Sequence, residues 1–128
     1  MQVTKLIQLY SSSGTGLSVS SMINNLNTYG PYTTYLYASS PLFQGYKSGI
    51  LNNTCCWALG DNSKASLGTT NHAIVTVGYG IASGKSYWIM RNSWGPSWGE
   101  SGYIRMTILS SGVGVCGNQQ MIDNITML

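Results

Sequence analysis

The sequence predicts an α+β fold, with one amphipathic helix near the N-terminus and an antiparallel sheet filling most of the C-terminal half. Val19, Met22, Ile23 and Leu26 recur at helical spacing behind a serine-rich approach. Three later runs, AIVTVGYG, SYWIMRNS and GYIRMTIL, are instead rich in β-branched and aromatic residues and are separated by glycine-bearing turns. A length of 128 residues suffices for one apolar core and is short for two, so a single domain over 1–128 is expected.

Each element has a local reason. In residues 18–29 (SVSSMINNLNTY) the serines can cap orphan amides, and Gly30-Pro31 then stops the helix. Residues 32–38 (YTTYLYA) read as a strand, and residues 41–46 as a single helical turn before Gly49. Residues 52–70 are polar and small and read as a long surface loop. From His72 onward the three strand-like runs form a meander, which residues 119–126 (QQMIDNIT) are expected to close as a last strand. The first dozen residues carry the weakest pattern.

Composition excludes several functions. The six basic residues, Lys5, Lys47, Lys64, Lys85, Arg91 and Arg105, are scattered, so there is no stripe with which to neutralise nucleic-acid phosphates. No apolar run approaches the roughly 20 residues of a membrane-spanning helix. Cys55, Cys56 and Cys116 with one histidine offer no zinc-site spacing, and neither a metal nor a cofactor is expected. The triplets Asn52-Asn53-Thr54 and Asn124-Ile125-Thr126 match the glycosylation pattern, which also arises often by chance.

His72 is the only histidine and stands where a polar loop enters an apolar strand. Such a histidine, taken alone, is more often structural than catalytic. Its company is more specific. The ordered set Asn71-His72-Ala73-Ile74, Val77-Gly78-Tyr79-Gly80, Tyr87-Trp88-Ile89, Asn92-Ser93-Trp94-Gly95, Trp98-Gly99 and Gly102-Tyr103-Ile104 resembles the C-terminal domain of the papain-like cysteine peptidases. Gly30-Pro31, Phe43-Gln44-Gly45-Tyr46, Ser48-Gly49-Ile50 and Gly114-Val115-Cys116-Gly117 extend the resemblance over nearly the whole chain.

The resemblance implies the sheet-rich half-barrel of that fold and a peptidase in which His72 is the general base and Asn92 orients its ring. Trp94 would cover the contact between them, although it could equally fill the core. Trp98 would be an exposed indole on the leaving-group side of the cleft, bordered by Gln44. Tyr35, Asn71, Ala73 and Met121 would line a largely apolar specificity pocket without an acidic floor. Cys55 would pair with Cys116, leaving Cys56 to compete for that bond, to pair elsewhere or to remain a free thiol. Cys55-Cys56-Trp57-Ala58 echoes the family's nucleophile motif but lies sixteen residues before His72, where Gly60, Asp61 and Asn62 end any helix.

In the family the nucleophilic cysteine comes from a separate N-terminal helical domain, which this sequence lacks. Partners implied by the resemblance are peptide or protein substrates, that helical domain or a pro-region, and cystatin-like inhibitors, with a lysosomal, vacuolar or secreted location. The isolated chain is expected to be inactive. Alternatives from other classes are a non-catalytic binding or scaffold homologue and one half of a split enzyme.

Overall fold

The computed structural model describes residues 3–11, 15–52 and 70–127. In chain order the elements are β1 Val3–Tyr10, α1 Val19–Tyr29, β2 Tyr32–Leu36, α2 Pro41–Gln44, β3 Ile50–Leu51, β4 His72–Ala82, β5 Lys85–Arg91, β6 Tyr103–Thr107, a 3-10 turn at Val115–Gly117, and β7 Met121–Met127. Helix α1 begins where the sequence signals it. The Ser18 hydroxyl accepts from the Ser21 amide, while Gly30, at φ 86°, closes the other end by donating to the Leu26 carbonyl. Its buried face carries Met22 and Leu26, each worth roughly 1.5 to 3 kcal/mol of burial. Ser40 caps α2 in the same way, with Pro41 in the first helical turn, where its missing N–H is harmless.

The strands form one open sheet in the order β1-β7-β2-β4-β5-β6-β3. The expected meander is β4-β5-β6, antiparallel throughout, and its first two strands are joined by a tight turn with Ser83 and Gly84 both at positive φ. One feature departs from expectation: strand β3 runs parallel to β6, so the sheet is mixed rather than purely antiparallel. The weakly patterned N-terminal residues form β1. The expected last strand is present as β7, paired with β1 on one side and β2 on the other. These pairings join residues more than a hundred positions apart in sequence for β1 and β7, and local patterns do not encode such partners. Most of the expected 52–70 loop, including Cys55 and Cys56, lies outside the described residues.

Alternation sorts the sheet into two faces. Tyr32, Thr34 and Leu36 of β2, Ile74 and Thr76 of β4, and Ile122 of β7 are buried, and they join Trp88, Met90, Ile104 and Met106 in the core. Thr33, Tyr35, Ala73, Val75, Met121 and Asp123 point the other way and are partly or fully exposed. Asn124 is buried, and its Nδ2 donates to the carbonyls of Gly30 and Pro31 at 3.1 and 3.2 Å, tying β7 to the corner between α1 and β2. In the folded chain that amide is thus engaged inside the fold and not presented for glycosylation.

A polar knot fastens β3 and β6 to the loop preceding β6. Glu100 accepts from Arg105 Nε and Nη2 at 2.8 and 2.9 Å, and the hydroxyl of Tyr46 lies 3.1 Å from the same carboxylate. Tyr46 also donates to the Gly49 carbonyl at 2.6 Å, and burial pushes its hydroxyl up to about 12. The Arg105 hydrogen bonds hold the Glu100 carboxyl below its ordinary value. With the folded pKa depressed, the stabilisation is complete above the unfolded value near 4.3 and is lost as pH falls through the lowered value. Thermal melts from pH 6 to pH 2.5 should show a steeper fall below about pH 4.3 for the wild-type chain than for Glu100→Gln.

Candidate active site

His72 opens β4 and Asn92 follows the last residue of β5, twenty positions later. The register that pairs Val75 with Arg91 brings these strand ends together. Ring nitrogen Nε2 of His72 lies 2.8 Å from Oδ1 of Asn92. The same oxygen accepts from the backbone N–H of Ser93 at 2.8 Å. A backbone amide can only donate, so the atom facing the imidazole is the carboxamide oxygen rather than its nitrogen. Nε2 must therefore carry the proton, which leaves Nδ1 with the free lone pair. Asn92 is buried, and its own N–H donates to the Gly102 carbonyl at 2.9 Å, anchoring it to the turn before β6.

Aromatic rings enclose this pair on one side. The indole of Trp94 lies over the imidazole, with centroids 4.9 Å apart and planes at 33°. Phe43, from α2, meets His72 at 6.3 Å and Trp94 at 5.5 Å edge-on, and lies tilted against Trp98 at 5.3 Å. Trp98 departs from expectation: it is buried at 8% exposure, while Trp94 keeps 40% of its surface exposed. The cause is the Trp98 Nε1–H, which donates to the backbone carbonyls of Phe43 and Gln44 at 3.2 and 3.1 Å and draws the indole against α2 and Tyr46. Gly99 permits this approach. It sits at φ +61°, and a Cβ there would fall 2.5 Å from the Tyr103 carbonyl oxygen. Gln44 is exposed and borders the cluster through its backbone.

Of the expected pocket residues, Tyr35 is paired with Ala73 across β2 and β4. Extending the β2–β7 register by one residue sets Met121 opposite Tyr35 on the same face. Asn71 is turned back onto the chain: its Oδ1 accepts from the Ala38 amide at 2.9 Å and its Nδ2 donates to Ser39 at 2.7 Å, bracing the end of β2. A depression of about 270 Å³ between β4 and β5 is lined by Ala73, Val75, Arg91, Asn92 and Ser93. No acidic residue lines this depression. Asp123 stands two residues beyond Met121 on the same face of β7, its carboxylate accepting from Tyr35 Oη at 2.5 Å and from Gln8 Nε2 at 2.9 Å. The bond to Asp123, with burial and the charge itself, holds the Tyr35 hydroxyl above its ordinary pKa. Cys116 is buried and disulfide-bonded, and the predicted partner Cys55 lies outside the described residues. Among the described residues no three histidine, cysteine, aspartate or glutamate side chains cluster as metal ligands would.

Phe43 and Ser93 were not singled out as functional by the sequence. Phe43 had a usable signal in Phe43-Gln44-Gly45-Tyr46, but Ser93 acts through its backbone, which residue identity does not reveal.

The family model described as papain family cysteine protease matches residues 2–125. The chain is 45% identical over 92 residues to the germination-specific cysteine protease 1 of Arabidopsis thaliana, covering 70% of this chain and 22% of that protein. It is 47% identical over 88 residues to the silicatein of Petrosia ficiformis, with 69% and 23% covered. Among solved structures, bromelain from Ananas comosus in complex with the E64 inhibitor superposes with a TM-score of 0.74 at 34% identity, over 98% of this chain and 51% of that one. The chain belongs to the papain family of cysteine peptidases. It spans under a quarter of the length of these curated relatives, 22% and 23%.

The site geometry makes a spectroscopic prediction. In the ¹⁵N spectrum of neutral His72 the proton should reside on Nε2, with Nδ1 showing the shift of an unprotonated nitrogen. Asn92→Ala should restore a mixture of tautomers, and an Nδ1–H form in the wild-type chain would contradict the arrangement.

Proposed function

We propose that this chain is the C-terminal, histidine- and asparagine-bearing part of a papain-like cysteine endopeptidase, in which His72 is the general base and Asn92 its orienting partner. The observation that carries the reading is the doubly engaged Asn92 oxygen, which fixes the Nε2–H tautomer and leaves Nδ1 as the basic atom. A cysteine thiol held near Nδ1 by a helical partner domain would lose its proton to the ring. The thiolate then attacks the scissile carbonyl, the imidazolium returns the proton to the leaving amine, and water activated by the same ring releases the acyl group. A neutral carboxamide orients the imidazolium without adding the full charge of a carboxylate.

Trp94 and Phe43 serve this chemistry by keeping water away from the contact between His72 and Asn92, where a drier surrounding strengthens the bond. Trp98 and the Gln44 backbone form the base on which they rest. Tyr35, Ala73 and Met121 make one wall of the substrate pocket. Asn71 shapes its rim through Ala38 and Ser39. Cys55 is the proposed partner of Cys116. Without the nucleophile in place the base has nothing to activate, so the 128-residue chain by itself hydrolyses no peptide. Peptides, a helical domain or pro-region, cystatin-like proteins and inhibitors such as the E64 bound by bromelain are the partners this reading implies once both halves are assembled.

The test is reconstitution with a helical domain of the family, fused or added in trans, with a fluorogenic peptide as substrate. Activity should appear on assembly and fall to background in His72→Ala. Asn92→Ala should lower kcat/KM about tenfold or more, since it loosens the ring without removing the base. Undiminished turnover in the assembled His72→Ala protein would exclude the assignment.

A further inference from the structure

Glu100 has no part in the proposed chemistry, yet its backbone belongs to the turn that holds Asn92. Glu100 and Tyr103 exchange backbone hydrogen bonds of 2.8 and 3.1 Å around Ser101 and Gly102, which both lie at positive φ, 55° and 92°. Four residues paired in this way make a two-residue hairpin turn, with Glu100 as its first corner. Gly102 is held on both sides. Its N–H donates to the Trp98 carbonyl at 2.8 Å, and its carbonyl accepts the Asn92 N–H at 2.9 Å. The backbone of Asn92 therefore hangs from this turn.

The Glu100 carboxylate fixes the turn from outside. Oε1 accepts from Arg105 Nε at 2.8 Å and lies 3.1 Å from the Tyr46 hydroxyl, while Oε2 accepts from Arg105 Nη2 at 2.9 Å and from the Gly49 amide at 3.4 Å. Tyr46 also meets the residues before the corner: its carbonyl accepts the Gly99 N–H at 3.1 Å, and its ring lies 5.5 Å from that of Trp98. The Arg105 and Glu100 side chains stay 32% and 30% exposed, so their attraction adds little to overall stability. What a two-pronged contact between guanidinium and carboxylate supplies is direction, because the planar fork admits one orientation of its partner. Here it sets the corner of the turn against β6, and with it the carbonyl offered to Asn92.

We propose that Glu100 is a positioning residue for the pair formed by His72 and Asn92, acting through Gly102. Without the clamp the turn shifts, the Gly102 carbonyl loosens its hold on the Asn92 N–H, and the Asn92 oxygen is no longer kept 2.8 Å from Nε2. The ring then gains access to the Nδ1–H form, in which the atom that would receive the thiol proton is already occupied. The catalytic meaning of this coupling rests on the peptidase reading, but the coupling itself is a property of the chain and is measured without turnover.

The experiment records amide hydrogen exchange and the ¹⁵N spectrum of neutral His72 in the 128-residue chain and in two clamp variants. Glu100→Gln keeps the shape of the side chain and removes its charge; Arg105→Met removes the fork and keeps an apolar stem. In both, the Asn92 amide should exchange about fivefold faster, as expected for the loss of about one neutral hydrogen bond, while the Met90 amide on the preceding strand keeps its rate. The Nδ1–H share of His72 should rise in the same variants. Asn124→Ala, which cuts the tie from β7 to Gly30 and Pro31, should lower the melting temperature and leave the tautomer unchanged. Unaltered Asn92 exchange in the clamp variants, equal acceleration at Asn92 and Met90, loss of the folded state in both variants, or the same tautomer change in Asn124→Ala would each overturn the proposal. An assembled protein lacking turnover would count against the peptidase reading and leave the coupling standing.

Discussion

One oxygen atom organises the site. Oδ1 of Asn92 receives the Ser93 amide on one side and the His72 ring on the other, and the first of these bonds decides the chemistry of the second. A carboxamide free to rotate could offer either end to the imidazole and would leave both tautomers accessible. Held by a backbone donor within its own turn, it can only accept, and the proton of the ring is placed accordingly. The turn is fixed in its own right, since Asn92 donates to Gly102 and so ties the end of β5 to the start of β6. The sheet register supplies the remaining constraint by setting the ends of β4 and β5 side by side. A slip of one residue would carry His72 to the opposite face, away from both Asn92 and the Phe43 ring.

Much of this was legible from the residues. Helix α1 is written locally, in four apolar positions at helical spacing between a serine cap and Gly30-Pro31. The hairpin of β4 and β5 is equally local, because Ser83-Gly84 supplies the turn and alternation supplies the faces. The pairing of His72 with Asn92 was anticipated from the motifs around them rather than from any periodicity. Strand β1 and the parallel pairing of β3 escaped notice because their stability comes from distant partners, which no short window contains. Trp98 was misjudged for a related reason. Its burial depends on two carbonyls of α2, some fifty residues upstream, that accept its indole N–H.

Asp123 illustrates how a period-two argument can be stopped too soon. Met121 was placed on the pocket face by resemblance, and in a strand the residue two positions on must share that face. The spacing alone thus sets Asp123 on the face of Met121. What it could not supply was the partner: the Tyr35 hydroxyl comes from β2, and only the insertion of β7 beside β2 brings the two together. The same β7 carries Asn124 on the opposite face, where its amide binds the Gly30 and Pro31 carbonyls and thereby fixes the corner from which β2 starts. One strand thus holds Tyr35 from one face and the start of β2 from the other.

The aromatic cover of the site has a further consequence. Trp98 and Phe43 are buried within this chain, but Trp94, the ring nearest the imidazole, is 40% exposed, as is Leu42 at 56% beside Phe43. Water can therefore approach the outer surface of the indole that shields the bond between His72 and Asn92. A hydrogen bond gains strength as its surroundings become less polar, so any surface that covers Trp94 and Leu42 tightens the orientation of the ring beneath. Under the proposed reading the covering surface is the cysteine-bearing half itself. Arrival of the nucleophile and drying of the base are then one event, and the proton acceptor is most firmly aimed when there is a thiol for it to act on.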